Sequence, residues 1–317
     1  MIKLVHLYSL LLLLSLCLTG KVFSQGNSKY YSKEISFKTD NDAYLFTLKD
    51  AYYTNGFFFD YAWVSATKKV KKIQRVELGQ MIYTPLKRAT RSTADIDRPY
   101  CGYLFLKYQQ TTFLNHKTVF RPFISIGLLG RASGGEGLQN TYHQWLGYAK
   151  FTGWKYQISN AISFDMGMAY AKTIQESNGV KLMGTAELNL GTTFTNVKLG
   201  GMLITGAFEQ NEESALWNAR IGSKAVTTKR KYEFFGYWHP QLIAQGYNAT
   251  IQGGIWGDKG TASTSTISPW VFQQNIGLCY ANGRFTTKLE YMYQTKETPS
   301  QIRVQRYGAV QINYRIM

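Results

Sequence analysis

The chain is poor in the residues that define several common protein classes. It has 3 Cys and 6 Pro among 317 residues, and 19 acidic against 36 basic residues. It contains no CxxC pair, so a zinc or redox cluster is not indicated. After residue 25, no apolar run is long enough for a membrane helix. These shortages exclude a helical-bundle membrane protein.

Several catalytic motifs are also missing. The sequence has no GxSxG nucleophile elbow, which disfavours a serine hydrolase of that type. It has no HExxH zinc motif and no EF-hand loop. Because no protein nucleophile stands out, an activated water molecule is the more natural attacking group in any hydrolysis.

The N-terminal segment predicts export. Lys3 precedes an apolar run from Leu4 to Leu18, which is short for a bilayer-spanning helix. We therefore expect a signal peptide over residues 1–24 and a single domain over residues 25–317. Cys101 and Cys279 remain in that domain, and they are equally consistent with a disulfide and with two buried thiols.

Alternation with a period of two is the main structural pattern. Ile162, Phe164, Met166, Met168 and Tyr170 alternate with small or polar residues. The chain also carries 23 Tyr and 29 Gly, as is typical of barrel strands with aromatic girdles. Twelve strands are expected near 33–42, 54–66, 72–83, 100–113, 118–128, 160–173, 181–192, 195–207, 241–256, 270–281, 284–294 and 303–316. The stretch 208–240 has no clear pattern. The predicted fold is all-β, a single transmembrane antiparallel barrel with long outer loops.

The formal net charge of +17 limits the partners. A soluble basic protein could bind nucleic acid, but an exported one is more plausibly exposed to anionic lipid headgroups or lipopolysaccharide phosphates. We therefore expect a monomer in the outer membrane that contacts its lipids and no nucleic acid.

Three polar stretches are predicted to meet at one end of the barrel. The links after the first, third and fifth strands, near 43–53, 84–99 and 129–159, all lie on the same side of an antiparallel barrel. We expect this side to face outward. These links and the neighbouring strand ends contain most of the candidate catalytic groups.

Five residues at this end suggest a hydrolytic site. His143 follows Gln139 by four residues, so both would share one face of a helical turn, and a neutral imidazole there could take a proton from water. Asn41 and Asp42 end the first strand, near Thr54 in the second. Their oxygen atoms suit calcium. Each feature alone also fits an ordinary polar loop or hairpin end.

Basic residues surround the same region. Lys87, Arg88, Arg91 and Arg98 could grip substrate phosphates. The alternative interpretation is a solvated basic rim, and the sequence leaves both open.

The motifs together resemble those of the outer-membrane lipid A 3′-O-deacylase family. The similar segments are NDAYLFTLKDAYYTNG, IYTP followed by DRPYCGY, and GRASGGEGLQNTYHQWLG, with YNATIQGG further on. The resemblance is richest over residues 40–160.

This resemblance implies a twelve-stranded barrel that removes the 3′-linked acyloxyacyl group of lipid A with the help of calcium. The family's Asn-Asp pair falls on Asn41 and Asp42, its threonine or serine on Thr54, and its glutamine and histidine on Gln139 and His143. His143 would be the general base and Asp42 the metal ligand. The family's basic loop residue has no unique match among Lys87, Arg88 and Arg91.

One departure concerns the metal. The family pattern has a glutamate six residues after the histidine, where this chain has Ala149. Either Asp40, Glu136 or another carboxylate supplies the charge, or calcium binds weakly, or the substrate differs. Two alternatives to the enzyme also stay open: a small porin or lipid conduit lined by charged residues, and a non-catalytic barrel in which Ala149 marks a decayed site.

Overall fold

The strands close into a barrel. The computed structural model describes residues 31–45, 52–65, 70–147, 149–222, 230–256 and 262–317. In these residues, twelve antiparallel strands each pair with their neighbours in sequence, and the first pairs with the last. The predicted all-β barrel is confirmed. The predicted signal peptide over 1–24 lies outside the described residues.

The element bounds follow the alternating segments closely. The strands are β1 (Lys33–Asn41), β2 (Tyr52–Ser65), β3 (Lys72–Thr84), β4 (Cys101–Asn115), β5 (Thr118–Leu129), β6 (Ala161–Ser177), β7 (Val180–Gly191), β8 (Phe194–Ala207), β9 (Tyr232–Asn248), β10 (Trp270–Asn282), β11 (Phe285–Gln294) and β12 (Gln305–Ile316). Two α-helices, α1 (Gly135–Leu146) and α2 (Ala249–Gln252), lie in the connections. Across the part of the chain that is described, no helix has the length and apolar character needed to cross a bilayer.

The ninth strand was predicted wrongly. It was expected over 241–256, but β9 runs from Tyr232 to Asn248. The strand ends there because the Asn248 side chain accepts a hydrogen bond from the Thr250 backbone N–H at 3.1 Å and caps α2. The unclear stretch 208–240 therefore holds the first half of β9.

The two cysteines do not pair. Cys101 begins β4 and Cys279 lies near the opposite end of the barrel in β10, and both are fully buried free thiols. This settles the choice that the sequence left open in favour of two buried thiols.

The outer surface of the barrel is apolar and its interior is charged. Exposed side chains on the outside include Phe59, Leu106 and Ile126, at 56%, 46% and 57%, as in a barrel that faces lipid. Inside, Arg75 lies 3.5 Å from carboxylate oxygens of both Glu34 and Asp60. Buried ion pairs of this kind fill the lumen with side chains.

One end of the barrel is closed from within. We call the end that contains Lys33 and Ile316 the termini end, and the opposite end the loop end. Residues 208–222, which we call the plug, follow β8 at the termini end. In the plug, Ala215, Ala219 and Ile221 are fully buried in a core formed by side chains from β2 to β10. The plug therefore lies in the lumen.

Buried charged groups hold the plug in place. The Glu233 carboxylate accepts hydrogen bonds from the backbone of Glu209 and Ala215, from the Ser214 hydroxyl and from Arg220. Lys71 Nζ donates to the plug carbonyls of Glu212 and Ala219 at 2.6 and 2.7 Å. Burial lowers the pKa of Lys71 to about 8.

Candidate active site

The predicted site residues of the first two strands lie on the outside of the barrel wall. Side chains two residues apart share one face of a strand. Ile35 and Phe37 mark the outer face of β1, with 47% and 37% exposure, and Asn41 shares that face. Phe59 marks the outer face of β2, which includes Asn55. The candidate site is therefore built on the outer surface and not in the lumen.

These outward positions are nevertheless buried, because α1 and neighbouring loops cover them. Ile82, on the outer face of β3, packs with Tyr100, Phe151 and Trp154 of the loops. At Gly102 in β4, an added Cβ would lie 2.1 Å from Ser133 Oγ and 3.0 Å from the Cα of Gly135. The missing side chain at Gly102 thus lets the start of α1 lie directly on the wall.

The ends of β1 and β2 are joined through an amide pair. Asn41 Nδ2 donates to Asn55 Oδ1 at 2.5 Å, and Asn41 Oδ1 accepts from the Ala43 backbone N–H at 2.7 Å. This second bond turns the chain into the 3₁₀ turn Asp42–Leu45. Asp42 is 4% exposed, so its carboxylate is held at the covered edge of the wall.

Gln139 connects α1 to the wall. Its Nε2 donates to Thr54 Oγ1 over a long 3.4 Å, and its Oε1 accepts from Trp154 Nε1 at 3.0 Å. Thr54 lies where the β2–β3 register shifts between Tyr53 and Asn55, and such a bulge re-aims side chains. The predicted residues Thr54 and Gln139 are therefore in contact.

His143 lies one turn after Gln139 on the same buried face of α1. The two side chains are 3% and 1% exposed, as the four-residue spacing predicted. His143 Nδ1 donates to the backbone carbonyl of Ala149 at 2.9 Å, because a carbonyl can only accept. This bond places the imidazole lone pair on Nε2, the tautomer that a general base requires.

The loop that carries Ala149 is fastened to the loop after β3. Thr152 Oγ1 accepts from the Thr90 backbone N–H at 3.1 Å, and the Thr152 N–H donates to the Arg88 carbonyl at 3.3 Å. Between them, the Phe151 ring packs 5.5 Å from the His143 ring. The orientation of His143 therefore depends on contacts between two loops.

Among the predicted phosphate-binding residues, Arg88 is linked to the histidine through an aromatic ring. Its guanidinium lies 6.0 Å from the Phe151 ring, which in turn lies 5.5 Å from the His143 ring. Lys87 pairs with Asp95 at 2.9 Å, and hydrogen bonds from Lys87 and from the backbone of Arg91 lower the pKa of Asp95. Lys87, Arg88 and Arg91 thus share one loop beside the site.

Arg98 occupies a different environment from the one expected. Its side chain is fully buried, its guanidinium donates to Glu297 at 3.1 Å and to Thr250 at 3.0 Å, and it lies 3.9 Å above the Tyr83 ring. It joins the loops after β3, β9 and β11. This placement suits a structural role better than a phosphate contact.

The donor set for calcium is small. No group of three His, Cys, Asp or Glu side chains that could hold a metal occurs among the described residues, and Asp42 is the carboxylate of the amide-paired strand ends. Calcium takes 6–8 oxygen ligands as a rule. The described residues therefore offer Asp42 with nearby amide and hydroxyl oxygens to such an ion, and do not enclose it with several carboxylates.

Fold and site together define a membrane β-barrel with a covered polar site on its outer wall. The family model "Outer membrane protein LpxR" matches residues 10–316, nearly the whole chain. The chain belongs to this family, and it is an integral protein of the outer membrane.

The structure of an LpxR protein supports the fold. LpxR from Salmonella typhimurium is 18% identical, with a TM-score of 0.72 over 89% of this chain and 100% of that one. The β domain of the Bordetella autotransporter BrkA is 8% identical, with a TM-score of 0.49 over 90% and 99% of the two chains. No curated protein shows a significant match to this sequence.

Sequence reasoning missed the residues that support the predicted ones. Trp154, Thr152, Phe151 and the Ala149 carbonyl all come from the loop after α1. The sequence drew attention to position 149 only as a departure from the family, and nothing in it distinguished the other three, because their positions depend on contacts with the loop after β3. The outer placement of Asn41, by contrast, could have been read from its alternation with Ile35 and Phe37.

Proposed function

We propose that this protein is an ester hydrolase that removes the 3′-linked acyloxyacyl group of lipid A at the outer leaflet of the outer membrane. The placement of His143 on the outside of the wall carries the proposal. A lipid embedded in the membrane reaches that surface by lateral diffusion and does not have to enter the lumen. The family membership supports lipid A as the substrate.

The proposed reaction uses His143 as general base. Its Nε2 accepts a proton from water as the water oxygen bonds to the ester carbonyl carbon. When the tetrahedral intermediate collapses, the bond to the sugar 3′ oxygen breaks, and His143 returns the proton to that oxygen. The products are an acyloxy fatty acid, with its secondary ester intact, and a 3′-hydroxyl on lipid A.

The neighbouring residues position these reactants. Gln139 and the Ala149 carbonyl fix the helix and the imidazole, while Thr54 positions the water or the ester. Asn41 orders the strand ends through Asn55. Arg88, with Lys87 and Arg91 in the same loop, would attract the phosphate groups of lipid A, since guanidinium binds phosphate oxygens in pairs.

Calcium is part of the proposal as a weakly held ion. Asp42 would hold it, and it would polarise the ester carbonyl when bound. Because one carboxylate supplies little charge, we expect a dissociation constant on the order of 10⁻⁴–10⁻³ M. Calorimetric titration of the refolded barrel with CaCl₂ measures it, and Asp42→Asn should abolish the signal. Binding that persists in Asp42→Asn would remove Asp42 from the metal site.

Purified protein tests the chemistry directly. The wild-type barrel is incubated with lipid A in mixed micelles, and mass spectrometry follows the released fatty acid and the remaining lipid. We expect activity from wild type and its loss in His143→Ala, by about 10²–10⁴-fold for a general base. Activity retained in a folded His143→Ala barrel would refute the assignment of the base.

A further inference from the structure

Helix α1 buries polar side chains and exposes apolar ones. Gln139 and His143, on the side packed against the wall, are 1% and 3% exposed, whereas Leu138 and Trp145 are 40% and 81% exposed. A helix on the surface of a protein in water normally turns its apolar stripe inward. The reversed order on α1 indicates that its surroundings are not simply water.

The apolar residues form one stripe. Leu138, Tyr142 and Trp145 are spaced by four and three residues, so they lie on one side of the helix. With 3.6 residues per turn, this stripe lies about 100° around the axis from Gln139. Gln144 is exposed on a third, polar side, about 100° from Trp145. The helix therefore has a wall side, an apolar side and a polar side.

The start of α1 lies close to a surface that already faces lipid. The start of α1 lies on the outer faces of β3 and β4, where the Cβ position at Gly135 is 3.5 Å from Gln80 Nε2. The next outward residue on β3 is Leu78, which is 47% exposed and belongs to the apolar band of the barrel. Outward residues on a strand are about 7 Å apart, so no solvated belt separates the helix from that band.

The residues after α1 are of the types that occur at the interface between membrane and water. Lys150 and Lys155 are exposed and lie within ten residues of Trp145. An exposed tryptophan beside lysines is typical of segments that lie in the interface between lipid chains and headgroups.

We propose that α1 lies in the outer leaflet of the membrane, with Leu138 and Trp145 inserted among the lipid acyl chains and Gln144 facing the aqueous side. The helix that carries His143 is then held at a fixed depth relative to the ester groups of the surrounding lipid. The placement of the helix in the membrane stands independently of the proposed hydrolysis. Its consequence for catalysis rests on that proposed function.

Spin labels can measure the depth of each side of the helix. Leu138→Cys, Trp145→Cys and the matched control Gln144→Cys are each labelled with a nitroxide in barrels reconstituted into lipopolysaccharide–phospholipid vesicles. Because Cys101 and Cys279 are buried, wild-type protein serves as the labelling background. Oxygen concentrates in the bilayer, and a water-soluble nickel complex is excluded from it.

We expect the labels at 138 and 145 to collide with oxygen more than with nickel, and the label at 144 to show the reverse. A label at 145 that is as open to nickel as the label at 144 would overturn the proposal. A label at 145 shielded from both reagents would also overturn it, since that result indicates a protein partner.

The same experiment in a His143→Ala background separates the two proposals. The depth pattern should be unchanged there, because it does not depend on catalysis. With active enzyme, Trp145→Ser should raise KM for lipid A in vesicles several-fold and leave kcat nearly unchanged. A folded Trp145→Ser barrel with an unaltered KM would contradict the link between insertion and substrate binding.

Discussion

At the scale of residues, the orientation of His143 depends on the path of a loop. The Ala149 carbonyl accepts the Nδ1 proton, and this backbone group stands where the family resemblance implies a glutamate side chain. A carbonyl fixes the tautomer as a carboxylate would, but it adds no negative charge. Alanine instead of glutamate at position 149 therefore argues against a tightly bound metal ion more than against a general base.

Thr152 should act as a positioning residue. Thr152→Ala removes its hydroxyl contacts with Thr90 and loosens the loop that holds Ala149 against His143. A shift of about 1 Å in a catalytic group can cost on the order of 10²-fold in rate, so kcat should fall by about 10- to 100-fold with KM little changed. Thr152→Ser keeps the hydroxyl and should restore kcat. The kinetics of both variants on lipid A check this.

Arg98 should contribute to the stability of the fold, and Arg88 to the binding of phosphorylated substrate. Arg98→Ala leaves Glu297 without its buried partner and should destabilise the fold by roughly 3–5 kcal/mol. Arg88→Ala should leave the unfolding midpoint unchanged and raise KM for phosphorylated lipid A. Urea unfolding and steady-state kinetics of the two variants separate these roles. An Arg98→Ala barrel with wild-type stability but raised KM would restore Arg98 to the phosphate site.

At the scale of elements, the sequence predicted where strands and loops meet but not how the loops close over the wall. The spacing of Gln139 and His143 correctly indicated a shared helical face. The end of β9 was missed because local capping by Asn248 competes with the alternation that continues past it.

The contact between α1 and the wall depends on Gly102. Gly102→Ala places a methyl group 2.1 Å from Ser133 Oγ, which should push the helix outward and lower activity while the barrel stays closed. The matched control is Gly137→Ala, since nothing lies within 4 Å of that position, and alanine should favour the helix by about 1 kcal/mol. Circular dichroism checks the fold of the two variants, and an activity assay on lipid A compares their rates. Equal activity in both variants would contradict the importance of this close approach.

At the scale of the whole molecule, the plug closes the lumen at the termini end. The alternating strands predicted closure of the barrel, but residues 208–222 have no periodicity that would have indicated a segment folded inside it. Their position is set by buried partners from distant strands, such as Glu233 and Lys288, whose Nζ donates to the Leu216 carbonyl at 3.0 Å. The plug argues against the alternative of a small porin.

Conductance tests this closure. Wild-type protein in a planar bilayer should show no steady single-channel current. Glu233→Ala removes the acceptor for four groups around the plug and should produce intermittent currents. The matched control Glu187→Gln alters a lumen carboxylate that pairs with Lys198 between strands and should stay silent. Steady current from the wild type would favour the conduit instead.

The central claim is that His143, on the outer wall of the barrel, hydrolyses the 3′ ester of lipid A in the membrane. Mass spectrometry of lipid A from cells that express the wild-type protein or the His143→Ala variant measures this most directly. The account predicts the loss of one acyloxyacyl unit from the 3′ position with wild type and intact lipid A with the variant. Identical lipid A in both cell types, with both barrels folded in the outer membrane, would contradict it.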